Sequence, residues 1–270
     1  MRKNVFVLAF AALLAVSCGT TSASLSILHV NDTHSHLDAM RNGPSEGRGG
    51  VIERAAIIDS VRNARGSSNV LLLHAGDFNQ GTSYFTVFGG ALEVELVNAL
   101  GYDAITLGNH EFDNGLADLA ARVKKINCPV LCANVDFSGT PLDGVVKPVT
   151  TIYKGGLKIG IIGVTSDLSK MVSSTISSQL RLLDNVEAVN YWSDYLRHDK
   201  NCGMVILLSH LGYQEDQEIV PRLHDVDIVI GGHSHTFVDG FLYIADADGK
   251  QVPVVTDGCF GYDMGEIIVR

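Results

Sequence analysis

The chain has 270 residues, 46% of them hydrophobic, and a formal net charge of -10. That length and apolar fraction suffice for one sizeable domain with its own core. The acidic balance and the lack of any basic run exclude a protein that binds a nucleic-acid polymer by neutralising its backbone. A phosphate-bearing substrate would have to be held by something other than Lys and Arg, and bound cations would serve.

In chain order, Arg2 and Lys3 precede an apolar stretch over residues 5–16, too short to span a bilayer comfortably. Leu14-Ala15-Val16-Ser17-Cys18 resembles a bacterial lipoprotein cleavage box. Residues 1–24 therefore read as a lipoprotein signal peptide and tether, with Cys18 the lipidated first residue of the mature protein. Ordinary secretory cleavage near Ser22-Ala23 is the alternative. Either route exports the protein, to the bacterial cell envelope and a lipid anchor in the first case, and leaves 25–270 as the folded domain. The other cysteines are Cys128, Cys132, Cys202 and Cys259. Cys128 and Cys132 fall on one predicted strand, where four residues span about 13 Å, too far for a disulfide. All four read as small buried residues, with one unassigned disulfide left open.

Residues 25–30 read as a strand and 51–65 as a helix, with Val51, Ile52, Ala55, Ile58 and Val61 along one face. Residues 70–73 are a wholly apolar strand. Residues 91–100 are helical and stop at Gly101, a natural C-cap. A strand over 103–107, a helix over 114–125 and a strand over 130–135 follow. The second half repeats the theme with a strand at 157–164 and a helix from the Asp184/Glu187 capping pair to about 197. A buried strand at 205–208 precedes a helical stretch at 213–224 that Pro221 should break. Strands at 227–230, 241–247, 252–256 and 265–269 close the chain. The alternation predicts one α/β domain with two sheets' worth of strands and helices outside.

Short clusters of Asp, His and Asn stand where these strands end. Asp32 and His34 are two apart, a spacing that extended backbone turns to one side, within reach of one cation. Asp77 follows an apolar strand and a glycine, and its two oxygens suit it to bridge two cations. Asn109 offers a neutral amide oxygen to a second metal. His110 is adjacent and should point elsewhere, with Asp113 placed to orient its ring and stabilise its charged form. His210 closes a buried strand, and His233 and His235 repeat the two-residue spacing behind two glycines. His29, His74, His198 and His224 read as structural, and His36 as a neighbour of the ligands. Each cluster alone is weak; together, at the carboxyl ends of strands, they predict a metal site.

The ordered set Asp32-x-His34, Gly76-Asp77-Phe78-Asn79-Gln80-Gly81, Gly108-Asn109-His110-Glu111-Phe112-Asp113, Ser209-His210 and Gly232-His233-Ser234-His235-Thr236 resembles the calcineurin-like metallophosphoesterases. Within them, Asn31 to His34 and Gly108 to Asp113 look most like the bacterial 5′-nucleotidase and UDP-sugar hydrolase group. The resemblance covers about 25–270 and implies a metallophosphoesterase sandwich of two mixed β-sheets flanked by helices. It further implies one metal on Asp32, His34, Asp77 and His235, a second on Asp77, Asn109, His210 and His233, and a catalytic dyad of His110 and Asp113. Mixed His, Asp and Asn donors suit Zn, Mn, Fe or Co better than Ca or Mg.

Two departures stand out. Several nucleotidases of the group carry an amide where this chain has His235. They also continue into a second, nucleotide-specificity domain with no counterpart in 25–270; either a separate partner chain supplies it, or the enzyme is promiscuous, or the sequence is truncated. The expected activity is two-metal hydrolysis of phosphate esters by a metal-bridging hydroxide, with nucleotide phosphomonoesters as first substrate class. A phosphodiesterase acting on cyclic nucleotides or nucleotide-sugars is the alternative enzyme. A binding lipoprotein with a vestigial metal site is the non-enzyme alternative.

Overall fold

Strands that are apolar at every position need cover on both faces. Leu25–Val30, Val70–His74 and Met204–His210 are buried throughout, and each lies inside one of two six-stranded sheets. The computed structural model describes residues 2–8, by their backbone, and 24–270. The first sheet runs Arg2–Leu8, Asp263–Val269, Leu25–Val30, Val70–His74, Ala104–Thr106, Val130–Leu131. The second runs Leu242–Ala245, Gln251–Val255, Ile228–Ile230, Met204–His210, Leu157–Thr165, Val149–Lys154. Both are mixed: the pairs of Leu25–Val30, Val70–His74, Ala104–Thr106 and Val130–Leu131 are parallel, while Asp263–Val269 is antiparallel to Leu25–Val30.

The period-two alternation of side chains sorts the core into three layers. Leu25, Ile27, Leu71 and Leu73 face inward onto Ile159, Ile161, Ile206 and Leu208 of the other sheet. Leu28, Val30, Val70 and Leu72 face outward onto Ile58, Val61, Val97 and Leu119 of the flanking helices. The outer face of the second sheet, with Ile162, Val164, Val205 and Leu207, is covered by Val189, Leu196 and Leu223. Each such fully buried side chain stabilises by about 1.5–3 kcal/mol. The expected α/β sandwich of two mixed sheets between helices is therefore what forms.

Local signals set most helix ends. Val51–Arg65 forms over the predicted bounds, but Ile52, expected on its apolar face, points to solvent and is 80% exposed. Ala91–Leu100 ends at Gly101, left-handed at φ 68, whose N–H returns to Val97 and Asn98. Asp184 accepts from the Glu187 N–H and caps Asn185–Asp194. Pro221 ends Tyr213–Ile219 in a short 3-10 turn, Val220–Arg222. The helix predicted at 114–125 is shorter, Leu116–Val123, because Gly115 at φ 87 turns the chain into it. The strand predicted at 130–135 divides into Val130–Leu131 and Val135–Asp136. Asn134 lies between them and exchanges two hydrogen bonds with the Thr165 backbone, its amide standing in for a strand neighbour. Val149–Lys154 and three short helices, Ser83–Phe88, Leu168–Met171 and Ser174–Ser177, were not predicted.

Arg2–Leu8 adds an edge strand parallel to Asp263–Val269. The expected lipidation site Cys18 and the rest of 9–23 lie outside the described residues. Cys128, Cys132, Cys202 and Cys259 are all free, Cys128 half-buried and the others buried. No helix among the described residues is long and apolar enough to cross a membrane.

The two sheets are tied together near the ligand-bearing end. Thr106 Oγ1 donates to the carbonyls of Leu131 and Val164, and a Cβ on Gly163 would stand 2.5 Å from the Leu131 Cβ and 2.7 Å from Thr106 Oγ1. Gly163→Ala is expected to cost about 1–3 kcal/mol through overpacking, read as a lowered midpoint in urea. Gly203→Ala, whose Cβ would meet nothing nearer than 3.9 Å, is the control and should change stability by at most about 0.5 kcal/mol.

Candidate metal centre

The predicted ligands arrive from both sheets at one end of the sandwich, each just past a strand. Asp32 and His34 follow Leu25–Val30, Asp77 follows Val70–His74, and Asn109 follows Ala104–Thr106. His210 ends Met204–His210, and His233 and His235 follow Ile228–Ile230. Asp32, Asp77 and His210 are at most 2% exposed. Ligand-type atoms of Asp32, His34 and His235 lie within 4.8 Å of one another, and so do those of Asp77, His210 and His233. A third such group joins His34, Asp77 and His110, so the first two groups adjoin.

The two-residue spacing converges for a different reason than expected. Asp32, His34, His233 and His235 are not extended; their φ angles are 49, 46, 73 and 53. Asp77 is left-handed as well, at φ 53. Left-handed backbone is rare for non-glycine residues and concentrates at functional sites. Here backbone bonds hold it: Asp32 N donates to Gly76 O at 3.0 Å and His34 N to Asp77 O at 3.0 Å. The Asp32 and Asp77 loops are thereby stitched together.

The donor atoms are oriented for a cation. His210 Nδ1 donates to Ala75 O at 2.6 Å and His34 Nδ1 to Asn79 O at 3.2 Å. Those bonds fix the proton on Nδ1 and turn each Nε2 lone pair inward, the usual arrangement of a ligating imidazole. His210 Nε2 then faces Asp77 Oδ2 at 3.0 Å, and His34 Nε2 meets His235 Nε2 at 3.0 Å. Lone pairs keep such distances only with a proton or a cation between them. Asp32 Oδ1 and His210 Nε2 are buried without hydrogen-bond partners. Burial opposes charge on His210, yet Asp77 and Asp32 push its pKa up to about 10. The nearby Asp32 carboxylate, with Oδ1 3.4 Å from His235 Nε2, and Cys259 beside it push the His235 pKa up to about 10. Burial works to raise the Asp77 pKa, and His210 overcomes it and pulls it well below the usual carboxylate range. The negative field that draws protons onto these rings draws a divalent cation in their place. The residue set fits metal ions.

His110 borders the centre, grouped with His34 and Asp77, and is also held by Asp113. Its Nδ1 donates to Asp113 Oδ2 at 2.8 Å, and that bond raises its pKa although burial works the other way. Its ring meets His34 edge-on, centroids 5.3 Å apart. His29, His198 and His224 pair with Asp257, Asp194 and Asp248. His74 is buried, its pKa held well below the usual range by burial, with Nε2 against Thr33 Oγ1.

Several positioning residues carried no predicted role. Asn31 Nδ2 donates to Asp32 Oδ2 and to Gly258 O, each at 2.6 Å, and its Oδ1 accepts from Asp257 N. His233 N also donates to Asp32 Oδ2, so that oxygen is engaged and Oδ1 is left for a ligand. Ser166 Oγ donates to Asn109 Oδ1 at 3.3 Å. Ser209 turns away to Asp216. Glu111 is fully buried and accepts four backbone N–H groups: Gly108 and Asp77 on Oε2, Phe78 and Asn79 on Oε1. Burial and the Asp77 charge push its pKa upward, while four donated bonds hold it as a carboxylate. Its place in the Gly108–Asp113 motif was the only sequence signal for it. Gly108 is bare because a Cβ there would collide with Asp77 Oδ1.

Glu111→Gln turns an amide NH₂ toward backbone donors. It is expected to lower stability by about 1–3 kcal/mol and to reduce metal retained after dialysis, read by calorimetry and elemental analysis.

A family model described as Calcineurin-like phosphoesterase matches residues 25–237. A snake venom 5′-nucleotidase of Gloydius brevicauda is 38% identical over 96% of this chain and 47% of its own length. The crystal structure of a 5′-nucleotidase precursor from Thermus thermophilus superposes with a TM-score of 0.81 at 35% identity, covering 88% of this chain and 49% of that one. The Haemophilus influenzae NAD nucleotidase superposes with a TM-score of 0.79 at 30% identity, covering 88% and 46%. The chain spans about half the length of these relatives. It belongs to the calcineurin-like phosphoesterase family.

Proposed function

We propose that this member of the calcineurin-like phosphoesterase family hydrolyses phosphate esters at a centre of two divalent cations, with nucleotide phosphomonoesters as its substrate class. The observation that carries the reading is the pair of adjoining ligand groups, Asp32/His34/His235 and Asp77/His210/His233, at one end of the sandwich. Asp32, His34, Asp77 and His235 would hold one cation, and Asp77, Asn109, His210 and His233 the other, with Asp77 shared. The donor set suits Zn, Mn, Fe or Co. Bound cations supply Lewis-acid polarisation of the phosphoryl group and a nucleophile at neutral pH.

The chain's own residues do the rest. Asn31, Glu111 and the carbonyls of Ala75 and Asn79 hold the ligands in place before substrate arrives. His110, protonated and steadied by Asp113, delivers a proton to the leaving oxygen. Among the described residues neither Lys nor Arg lines the cavity of about 490 Å³ over the centre, so the anionic substrate depends on bound cations for attraction.

Asp77→Asn is expected to abolish hydrolysis and to release both metals; normal turnover in that variant would end the shared-ligand role. His110→Ala is expected to keep its metal and lose about 10²–10⁴-fold in kcat, and metal loss by elemental analysis would make His110 a ligand instead.

The second reading, a diesterase or nucleotide-sugar hydrolase, is favoured by the likeness to the NAD nucleotidase. p-Nitrophenyl phosphate against bis-p-nitrophenyl phosphate, with Mn or Zn added, separates the two, and turnover of neither would leave a binding protein. Export with a lipid anchor on Cys18 rests on the leader sequence. Removal of the leader would take away Arg2–Leu8 and leave Asp263–Val269 at the edge of its sheet. Cys18→Ser is expected to move the protein from the membrane to the soluble fraction, read by fractionation and mass spectrometry of the N-terminus.

A further inference from the structure

Phe260 has a strained backbone conformation. Its φ is 58, an outlier for a bulky residue, and strain of this kind persists only where the surroundings impose it. The residue is only partly buried, so core burial does not compensate. Its N–H donates to Asp32 O at 2.6 Å, which ties it to the backbone of a proposed metal ligand. Its ring stacks on His36, with centroids 4.1 Å apart and planes at 29°. His36 is in turn fixed by Nδ1 donating to His34 O at 2.8 Å. The Phe260 ring also lies 5.9 Å from His34 and 5.7 Å from His235, centroid to centroid. Strain, hydrogen bond and stack together hold one aromatic side chain at the rim of the metal centre.

Among the described residues, the cavity that Phe260 lines contains Met171 as its only other large apolar residue, and no Lys or Arg. The group next to the ester oxygen would meet the Phe260–His36 pair and the adaptable Met171 thioether. Aromatic rings favour offset or edge contacts with other rings.

We propose that Phe260, backed by His36, is the specificity residue for the leaving group. It selects esters whose alcohol carries a ring next to the ester oxygen, a furanose or an aryl group, over open-chain alcohols. The proposal rests on the phosphohydrolase reading above and names the substrate feature recognised at that site.

The test compares metal-loaded wild type with Phe260→Gly and Phe260→Tyr on p-nitrophenyl phosphate, ribose 5-phosphate and glycerol 3-phosphate. Phe260→Gly should lower the preference for ring over chain, as a kcat/KM ratio, about tenfold, mainly through KM. Phe260→Tyr should restore it. Glycine accepts the left-handed backbone, so the melting temperature of Phe260→Gly should not fall. A loss equal for all three esters, or an unchanged ratio, overturns the proposal. Binding of phenylphosphonate against methylphosphonate, followed by calorimetry, needs no turnover. Wild type should prefer the phenyl compound and Phe260→Gly should lose that preference. If wild type cleaves no ester but shows this pattern, the hydrolase reading falls and the platform stands. If it cleaves esters and shows no such pattern, the platform falls alone.

Discussion

Two carboxylates, Asp32 and Asp77, are buried at one end of the sandwich, and among the described residues the ion-pairing groups within 4 Å of them are histidines. Charges in that position cost several kcal/mol each unless compensated. The compensation has to come from a proton on an imidazole or from a cation between the groups. Much of the local structure works to keep that choice open. Backbone carbonyls occupy the outer nitrogens of His34 and His210, so the inner ones face the carboxylates. Asn31 and the His233 N–H occupy one oxygen of Asp32 and leave the other bare. An apolar core that contributes about 1.5–3 kcal/mol per buried side chain can carry such a site.

The strained backbone belongs to the same constraint. Five proposed ligands have positive φ, and each such residue costs of the order of 1–3 kcal/mol. A strand that continued straight past Val30 or Ile230 would carry its side chains to alternate faces and spread them along the sheet edge. The left-handed turns instead fold ligands from one loop back over the strand ends. Glu111 shows how the turn after Val70–His74 is held: one carboxylate gathers the N–H groups of Asp77, Phe78, Asn79 and Gly108. It reaches the substrate only through the residues it positions, and its loss would still displace a ligand by enough to matter.

The fold, and the gathering of Asp, His and Asn clusters at one end of it, were legible for physical reasons. Strands such as 70–73 and 205–208 are apolar at every position, which only a doubly covered sheet satisfies, and the Asp, His and Asn clusters follow them directly. The edge strand Val149–Lys154 was not legible, because none of its residues is fully buried and its sequence lacks a continuous apolar run. Ser83–Phe88 is too short to display a helical period. Asn134, which divides one predicted strand, looks like any turn residue until Thr165 is opposite it. The spacing of Asp32 and His34 gave the right convergence from the wrong backbone, since sequence shows separation and not φ. Asn31, Ser166 and Phe260 act through contacts with residues far along the chain, and composition or period carries no trace of those.

The ligand shell and the rim answer different questions. The proposed shell would touch only what every phosphate ester shares, so it would set the reaction class and be indifferent to the alcohol. Discrimination must come from groups that contact the leaving group, and a cavity without Lys or Arg leaves few of them. A hydrogen-bonding rim would reject apolar analogues strongly, because its own polar groups would be left unpaired. A rim built from Phe260, His36 and Met171 has less to lose. It can favour a ring by a modest factor but cannot demand one particular base, so sharp base selectivity would require contacts beyond those in 24–270.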